Sequence, residues 1–205
     1  MFFSPLSELP SIGRNWIYII TFALYLIFTV GTAVANNFGG LITMRFIAGF
    51  FGSPALATGG ATLQDMYDIA KLPYGISLWV AAATMGPALG PTLGGFAAAA
   101  KGWRWPMWEQ VWLAGPVLIV MFFVLPETSA PNILLRRAAR LRRTTGIEHL
   151  RSAGEIEQAS MSFSLVLTDS LIRPLQIAVV DPGTGFVNAY VALVYAIYYV
   201  RTFST

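Results

Sequence analysis

Five apolar stretches dominate the 205-residue sequence, and each is long enough to cross a lipid bilayer as a helix. They occupy positions 16–35, 39–61, 75–99, 107–125 and 184–200. A hydrocarbon core of ~30 Å needs about 20 helical residues, whereas membrane β-strands are about half as long and alternate polar with apolar side chains. Helices of this length satisfy their own backbone hydrogen bonds in lipid. The pattern therefore predicts an all-α integral membrane protein.

The composition argues against enzyme chemistry in this chain. Hydrophobic residues make up 56% of the sequence and charged residues 11%, which is about half the charge of an ordinary soluble domain. The chain has no cysteine, and its single histidine is His149. Zinc sites, Fe–S clusters, disulfides and thiol or histidine catalysis therefore lack their usual residues. We predict a protein that is not an enzyme and binds neither a metal nor an organic cofactor.

Basic residues are unequally divided between alternate loops. Six of the eleven arginines lie between positions 136 and 151. Strict alternation puts that cluster on the same side of the membrane as Arg14, Lys71 and Arg173. The opposite side receives Lys101, Arg104 and Arg201. The positive-inside rule assigns the first side to the cytosol, so positions 126–183 are predicted to form a basic cytosolic loop.

Two helices are predicted within this loop. Positions 132–143 place leucines and an alanine on one face with arginines around them, as in an amphipathic helix lying on anionic inner-leaflet lipids. The arginines expected to contact lipid are Arg136, Arg137, Arg140, Arg142 and Arg143. Ser152 and Glu155 have the spacing of a capping box, which marks the start of a second helix. Positions 181–183 read Asp-Pro-Gly, a turn before the last span.

A glycine and proline repeat distinguishes the stretch 75–99. Gly86, Gly90 and Gly94 recur every four residues and share one helix face, where another backbone can approach closely. A single pair of this kind indicates only generic helix packing, but prolines here follow the same period. The repeat consists of Gly86, Pro87, Gly90, Pro91, Gly94 and Gly95. No lysine followed by Ser or Thr accompanies it, so a phosphate-binding loop is disfavoured.

One arginine lies inside a predicted span. Arg45 is about two turns into the stretch 39–61, with Gly49 one turn further on the same face. A guanidinium at that depth is costly unless it faces a partner or a water-filled cavity, so it indicates a functional group. The alternative is an arginine that extends to the outer interface. We expect Arg45 to be buried.

Charged residues also cluster at the predicted cytosolic helix ends. Glu8 and Gly13-Arg14 bracket a short turn before the first span, Asp65 follows the second span, and Glu127 follows the fourth. A solvated loop explains any one of these residues alone. Together they predict a cluster of opposite charges at the inner face, which can hold one conformation of a transporter.

Four of these features occur together in a known family. The sequence has Pro-Leu-Ser-Glu to Gly-Arg at positions 5–14, Arg-x-x-x-Gly at 45–49, the Gly-Pro run at 86–95 and Leu-Pro-Glu-Thr at 125–128. Their order and spacing resemble those of the major facilitator superfamily, and more narrowly of fungal twelve-span drug:H+ antiporters that confer benomyl, methotrexate and azole resistance. The resemblance covers nearly the whole chain. The general family motif has an aspartate three residues before Gly-Arg, whereas here Glu8 stands five residues before Gly13. This longer form resembles the fungal branch of the family.

The resemblance implies a partial major facilitator fold covering helices 3 to 7. Residues 1–15 would be the end of helix 2 and a cytosolic loop, and residues 16–125 four transmembrane helices of the N-terminal half. Residues 126–183 would be the basic central loop, and 184–205 the start of the C-terminal half. Helices 1 and 8 to 12 would lie outside this sequence. Ala48 departs from the family's fourth-helix motif, which often has glutamine there.

The resemblance also implies roles for these residues. Arg45 would couple transport to protons, the Gly-Pro run would form the antiporter-motif helix, and the charge cluster would be the cytosolic gate. The proton would be the coupling ion and a drug-like small molecule the substrate, exported across the plasma membrane or, as the second choice, the vacuolar membrane. Weak candidates for the substrate cavity are Trp108, Glu109, Asn188 and Tyr195. A membrane scaffold and a truncated, non-transporting chain remain the alternatives.

Overall fold

The computed structural model describes residues 3–147, 149, 151–160, 172, 176 and 180–203, without the side chains of residues 4, 5, 8, 157–160 and 198–203. Over this part of the chain, the regular structure is entirely α-helical. The helices are α1 (Phe3–Glu8), α2 (Arg14–Val34), α3 (Phe38–Gly52), α4 (Pro54–Met66), α5 (Leu72–Lys101), α6 (Trp105–Val124), α7 (Ala130–Thr145), α8 (Ala153–Ser160) and α9 (Pro182–Phe203). The all-α prediction is confirmed.

Four segments are long and apolar enough to cross a membrane: α2, α3 with α4, α5, and α6. The fifth predicted span corresponds to α9, whose described apolar portion, Pro182–Ile197, is shorter than the other four. Asp181 begins this helix as a cap, since it accepts hydrogen bonds from Gly183 N at 3.2 Å and from Thr184 Oγ1 at 2.6 Å. The predicted turn before the last span is therefore a capped helix start.

The second span is built from two helices. α3 ends at Gly52 and α4 begins at Pro54, because proline has no backbone N–H to continue the hydrogen-bond ladder. Ser53 lies between them, and its hydroxyl donates to the carbonyl of Phe50 at 2.8 Å. This break places Arg45 and Asp65 on different helices.

Helix α2 is the centre of the packing, with contacts to α1, α3, α4 and α6. It packs closely on α3 where one helix offers a glycine: a Cβ on Gly31 would lie 3.3 Å from Met44, and a Cβ on Gly52 would lie 3.2 Å from Tyr25. By contrast, large apolar side chains on α5 and α6 are exposed, such as Phe96 and Phe123. Such surfaces suit helices that face lipid or further helices.

The opposite ends of the spans carry different polar contacts. Arg104, between α5 and α6, donates through Nη2 to the carbonyl of Ala35 and to Oδ1 of Asn36, both at 3.0 Å. An arginine near the end of α2 satisfies a carbonyl that the helix leaves unpaired. Arg14 lies at the other end of α2, which agrees with the predicted alternation of the basic residues.

The structure has a helix at each of the two predicted places in the loop, α7 and α8, while the contact of α7 with lipid stays a prediction. Glu155 accepts a hydrogen bond from Ser152 N and donates its own N–H to Ser152 Oγ, each at 3.3 Å, which is the predicted capping box. Arg142 Nη1 and Nη2 donate to Glu155 Oε1 at 2.9 and 3.0 Å. This bond holds the pKa of Glu155 below its usual range. Arg142 is therefore directed at α8, while Arg136, Arg137, Arg140 and Arg143 are exposed.

Candidate functional site

The structure brings together charged residues from three parts of the chain at one end of α2. Gly13 and Arg14 start α2, Asp65 lies in the last turn of α4, and Glu127 follows α6. We call these four residues the inner-face cluster. Arg14 contacts both Asp65 and Glu127, and Glu127 lies against Gly13, so the structure brings these four predicted residues together.

Glu127 caps the start of α2. Its Oε1 accepts hydrogen bonds from the backbone N–H of Arg14 at 3.0 Å, Thr128 at 3.1 Å and Ser129 at 3.0 Å. Its Oε2 accepts from Asn15 N at 3.4 Å. A carboxylate at a helix N-terminus satisfies amides that have no partner within the helix and interacts favourably with the helix dipole. Glu127 therefore ties the end of α6 to the beginning of α2.

Gly13 gives Glu127 the space to do this. Its backbone has φ +77° and ψ 176°, a region that essentially only glycine occupies. A Cβ at this position would lie 2.8 Å from Glu127 Cδ and 3.1 Å from Asn132 Cγ. A side chain here would be strained and would also displace the carboxylate. The backbone geometry at this position therefore requires the glycine of the Gly-Arg pair, while the arginine supplies the charge.

Arg14 and Asp65 form the ion pair of the cluster. Arg14 Nη1 lies 2.7 Å from Asp65 Oδ2, and the two side chains are 8% and 31% exposed. The contact lacks the angle of a directed hydrogen bond, and Arg14 Nε has no hydrogen-bond acceptor among the described residues. Removing one charge would leave the other partly buried at a cost of roughly 1–3 kcal/mol, less than for a fully buried pair because Asp65 is partly solvated.

Two asparagines complete the site, and sequence reasoning missed both. Asn15 Nδ2 donates to the carbonyl of Leu125 at 2.9 Å. Asn132 Nδ2 donates to the carbonyl of Pro10 at 2.7 Å, and Asn132 is 2% exposed. The first bond attaches α2 to the residue that follows α6, and the second attaches the turn before α2 to the first turn of α7. The available signal was their position, since each lies within five residues of a predicted cluster member.

Glu8 is the one predicted gate residue whose contacts are outside the described part of the structure. It is the last residue of α1. The turn that follows is closed by hydrogen bonds from Ile12 N and Gly13 N to the carbonyl of Leu9, at 3.1 and 3.2 Å. The predicted short turn before α2 is therefore confirmed, whereas the role of Glu8 in the cluster stays a prediction.

Arg45 is located where the sequence indicated but is not buried by this chain. It lies two turns into α3 and its side chain is exposed. The face of α3 toward α2 is formed by residues at helical spacing: Met44 reaches Gly31, Ala48 is buried, and Phe51 stacks on Phe28. Arg45 points away from that face. The described residues therefore leave the Arg45 guanidinium exposed, and its burial in a complete transporter stays a prediction.

The Gly-Pro run lies on one continuous helix. α5 includes Pro87 and Pro91 without interruption. A Cβ on Gly86, Gly90 or Gly95 would meet nothing within 4 Å, and one on Gly94 would be 3.7 Å from Pro106. The predicted close approach of another helix to this face is therefore not provided by the described residues, apart from the contact at Gly94.

The four cavity candidates do not form a single site in this chain. Glu109 is half-buried and borders an open groove of about 610 Å³ between α5 and α6. Trp108, on the same helix, is half-buried outside the lining of that groove, and Asn188 and Tyr195 are exposed on α9. The groove is lined by Leu93, Phe96, Ala97, Ala100, Lys101, Trp105, Glu109, Trp112 and Leu113. Their grouping as a substrate cavity stays a prediction.

Comparison with known proteins connects this geometry to a family. The sequence profile of the Major Facilitator Superfamily matches residues 1–204. No solved structure matches the chain. The chain is 44% identical over 199 residues to the MFS-type transporter pyvG of Aspergillus violaceofuscus, covering 97% of this chain and 36% of the relative.

Two further relatives are named for drug resistance. The chain is 40% identical to the cycloheximide resistance protein of Candida maltosa, covering 97% of this chain and 37% of the relative. It is 38% identical to fluconazole resistance protein 1 of Saccharomyces cerevisiae, covering 96% and 36%. The chain thus spans about a third of the length of these curated relatives. With its inner-face cluster, its membrane-length helices and a match over nearly all its residues, the chain belongs to the Major Facilitator Superfamily.

Proposed function

We propose that the protein containing this chain exports drug-like small molecules across the fungal plasma membrane in exchange for protons. The observation that carries this proposal is the match of nearly the whole chain to fungal transporters named for cycloheximide and fluconazole resistance. Efflux pump radE of Floropilus chiversii is a further relative, 36% identical over 196 residues. Transport rather than catalysis is the activity proposed, with a small molecule and a proton as the transported species.

The inner-face cluster would act as the cytosolic gate. The Arg14–Asp65 pair joins α2 to α4, and the Glu127 cap joins α2 to the end of α6. Opening a cavity toward the cytosol would require these helix ends to separate and their charges to be solvated again. A neutral side chain in place of the Asp65 carboxylate would remove the charge that pairs with Arg14, so the closed state would be weakened. The cluster supports a gate whose stability depends on one carboxylate.

Arg45 would couple the proton to the substrate. Its exposed guanidinium lies on the face of α3 that α2 does not cover, so it is available to a cavity formed with helices beyond this chain. An arginine at that depth shifts the protonation of a nearby acid or orients water. The antiporter-motif residues of α5, from Gly86 to Gly95, would provide an open surface against which a second helix can pack.

The basic face of α7 would rest on the inner leaflet. Leu134 and Leu141 are 51% and 42% exposed and lie seven residues apart on one side of the helix, among exposed arginines. Apolar side chains between arginines allow a helix to lie in the interface and attract anionic lipids. Because Arg142 is bonded to Glu155, we assign lipid contact to Arg136, Arg137, Arg140 and Arg143.

The test compares drug accumulation and drug-dependent proton flux in yeast that lacks its own efflux pumps. Cells would express the 205-residue chain, the complete reading frame that contains it, or Arg45→Ala in that frame. We expect the complete frame to lower accumulation with a proton flux that Arg45→Ala abolishes. Transport that is unchanged in Arg45→Ala would refute the role of Arg45. Absence of transport from every frame would favour a scaffold or a non-transporting chain.

A further inference from the structure

Three hydroxyl groups form a hydrogen-bonded circuit between α2 and α4, one helical turn from the inner-face cluster. Thr58 Oγ1 donates to Tyr18 Oη at 2.7 Å, Tyr18 Oη lies 2.8 Å from Thr62 Oγ1, and Thr62 Oγ1 donates to the carbonyl of Thr58 at 3.0 Å. Each hydroxyl supplies one proton and both threonines also reach a backbone carbonyl, so either Tyr18 or Thr62 can be the donor in their shared bond. We call Tyr18, Thr58 and Thr62 the hydroxyl circuit.

The circuit continues a polar stripe that begins at the gate. On α2, Tyr18 follows Arg14 by four residues, and on α4, Thr62 precedes Asp65 by three. Residues at these spacings lie on the same helix face. Thr58 is 2% exposed, although it lies in a membrane-length segment. The circuit is therefore the next layer of contacts behind the Arg14–Asp65 pair.

A neighbouring face of the same turn of α4 packs against α5. A Cβ on Gly59 would lie 2.9 Å from Trp79 Cε2, so the indole fills the space that the glycine leaves. Trp79 precedes Gly86, the first residue of the antiporter-motif run, by seven residues, or about 10 Å along the helix. One turn of α4, residues 58–62, is thus bonded to α2 on one face and packed against α5 on a neighbouring face.

We propose that Tyr18 is a positioning residue that makes this turn of α4 move with the gate, so that the Arg14–Asp65 pair and the antiporter-motif helix α5 change conformation together. The proposal rests on the transport activity proposed above. Its physical basis is geometric: a shift of α4 along α2 breaks the circuit, and a rotation of α4 brings a residue with a side chain into the space beside Gly59 that Trp79 fills. A gate that opens by moving α2 from α4 must therefore also change the contact with α5.

Tyr18→Phe isolates this role with little effect on folding. The substitution removes only the phenolic oxygen and retains the ring. Both threonines keep an acceptor within their own helix, since Thr58 Oγ1 also lies 2.8 Å from the carbonyl of Pro54 and Thr62 Oγ1 donates to that of Thr58. Tyr25→Phe is the matched control, because Tyr25 is on the same helix and its hydroxyl has no hydrogen bond among the described contacts.

The first measurement is hydrogen–deuterium exchange in the purified complete protein, which does not require transport. We expect Tyr18→Phe to raise amide exchange both in the turn before α2, residues 9–15, and in α5 around residues 79–90, while Tyr25→Phe changes neither. Increased exchange in only one of these segments, or in neither, would overturn the proposal. If the wild-type protein moves no drug, the proposed function is refuted. The exchange measurement would still test whether Tyr18 couples the turn before α2 to α5.

The second measurement separates positioning from a general structural role. In yeast, we expect Tyr18→Phe to lower the maximal rate of drug efflux about three- to twentyfold, as follows from typical hydrogen-bond strengths between membrane helices. The apparent KM should stay within about twofold, because the proposed role of the circuit is to join α2 to α4 and not to bind substrate. An unchanged maximal rate at equal protein level would overturn the proposal, as would a loss that Tyr25→Phe reproduces.

Discussion

A single methyl group at Gly13 should destabilise the inner-face cluster more than the same group at another glycine of equal backbone geometry. Gly13 and Gly102 have nearly the same dihedral angles, φ +77° and ψ 176° against φ +89° and ψ 169°. Their surroundings differ. A Cβ on Gly102 would meet nothing within 4 Å, whereas one on Gly13 would lie 2.8 Å from Glu127 Cδ. The comparison of Gly13→Ala with Gly102→Ala therefore separates backbone strain from displacement of Glu127.

The expected magnitude follows from these two terms. Each alanine costs about 1–3 kcal/mol of stability for a backbone conformation that side chains rarely adopt. Gly13→Ala also forces the Glu127 carboxylate away from the amides of Arg14 and Ser129, both at 3.0 Å. Losing hydrogen bonds to a charged group costs about 1.5–3 kcal/mol more. At roughly 2–4 °C per kcal/mol for a chain of this size, Gly13→Ala should melt about 3–12 °C below Gly102→Ala.

The assay is thermal unfolding of the purified variants in one detergent, followed by intrinsic tryptophan fluorescence. The difference between the two alanine variants should shrink when both are combined with Glu127→Ala, because the displaced carboxylate is then absent. Equal melting temperatures for Gly13→Ala and Gly102→Ala would show that Glu127 does not depend on the space at Gly13. The described cap would then not stabilise the cluster.

Three further predictions concern other parts of the chain. The hydrogen bond from Arg142 lowers the pKa of Glu155, so this bond stabilises the α7–α8 connection above the ordinary glutamate pKa of about 4.3 and is lost as the pH falls through the lowered pKa. The distribution of spin-label distances between α7 and α8 should therefore be constant from about pH 7 to 5 and broaden only at more acidic pH. Broadening near neutral pH would contradict this prediction. Arg45→Lys should retain part of the proton flux that Arg45→Ala loses, since a positive charge remains at that depth. Equal proton fluxes in the two variants would exclude a role of Arg45 that depends on its charge. Replacing Arg136 and Arg137 with alanine should weaken the binding of α7 to vesicles containing phosphatidylserine, since each arginine contributes about 1 kcal/mol of binding free energy at an anionic surface. The solvent accessibility of a spin label on α7 measures the change, and neutral vesicles are the control.

The sequence predicted the helices well because the bilayer imposes a simple length rule on apolar segments. It also predicted which charges meet at the inner face, since alternate loops must return to the same side. The local signal at Ser152 and Glu155 was equally reliable, because a capping box depends only on residues three apart. Where a contact was fixed by chain topology or by short-range spacing, the sequence was sufficient.

Contacts that depend on how far a helix is rotated about its axis were beyond the sequence. Met44 and Ala48, rather than Arg45, occupy the face of α3 that packs on α2. Arg14 pairs with Asp65, whereas the sequence indicated a cluster of charges without indicating which acid Arg14 contacts. In both cases a change of one residue in helix register alters the contact, and hydrophobic pattern alone does not determine it.

The hydroxyl circuit was missed for a related reason. Thr58, Thr62 and Asp65 recur at spacings of four and three residues on α4, which marks a polar stripe in an apolar helix. The stripe could have been read from the sequence. Its partner, Tyr18, could not, since tyrosine in a membrane protein more often indicates the interface than a hydrogen bond between helices.

The claim that the inner-face cluster gates transport is tested most directly by drug efflux in Asp65→Asn and Asp68→Asn, each in the complete reading frame and at matched protein level. Both changes remove one carboxylate charge near the end of α4. Asp65 pairs with Arg14 at 2.7 Å, whereas the described side-chain contact of Asp68 is a hydrogen bond from Ile69 N at 3.2 Å. The structure predicts that Asp65→Asn lowers efflux at least about fivefold while Asp68→Asn stays at the wild-type rate. Equal efflux from the two variants would contradict a gate built on the Arg14–Asp65 pair.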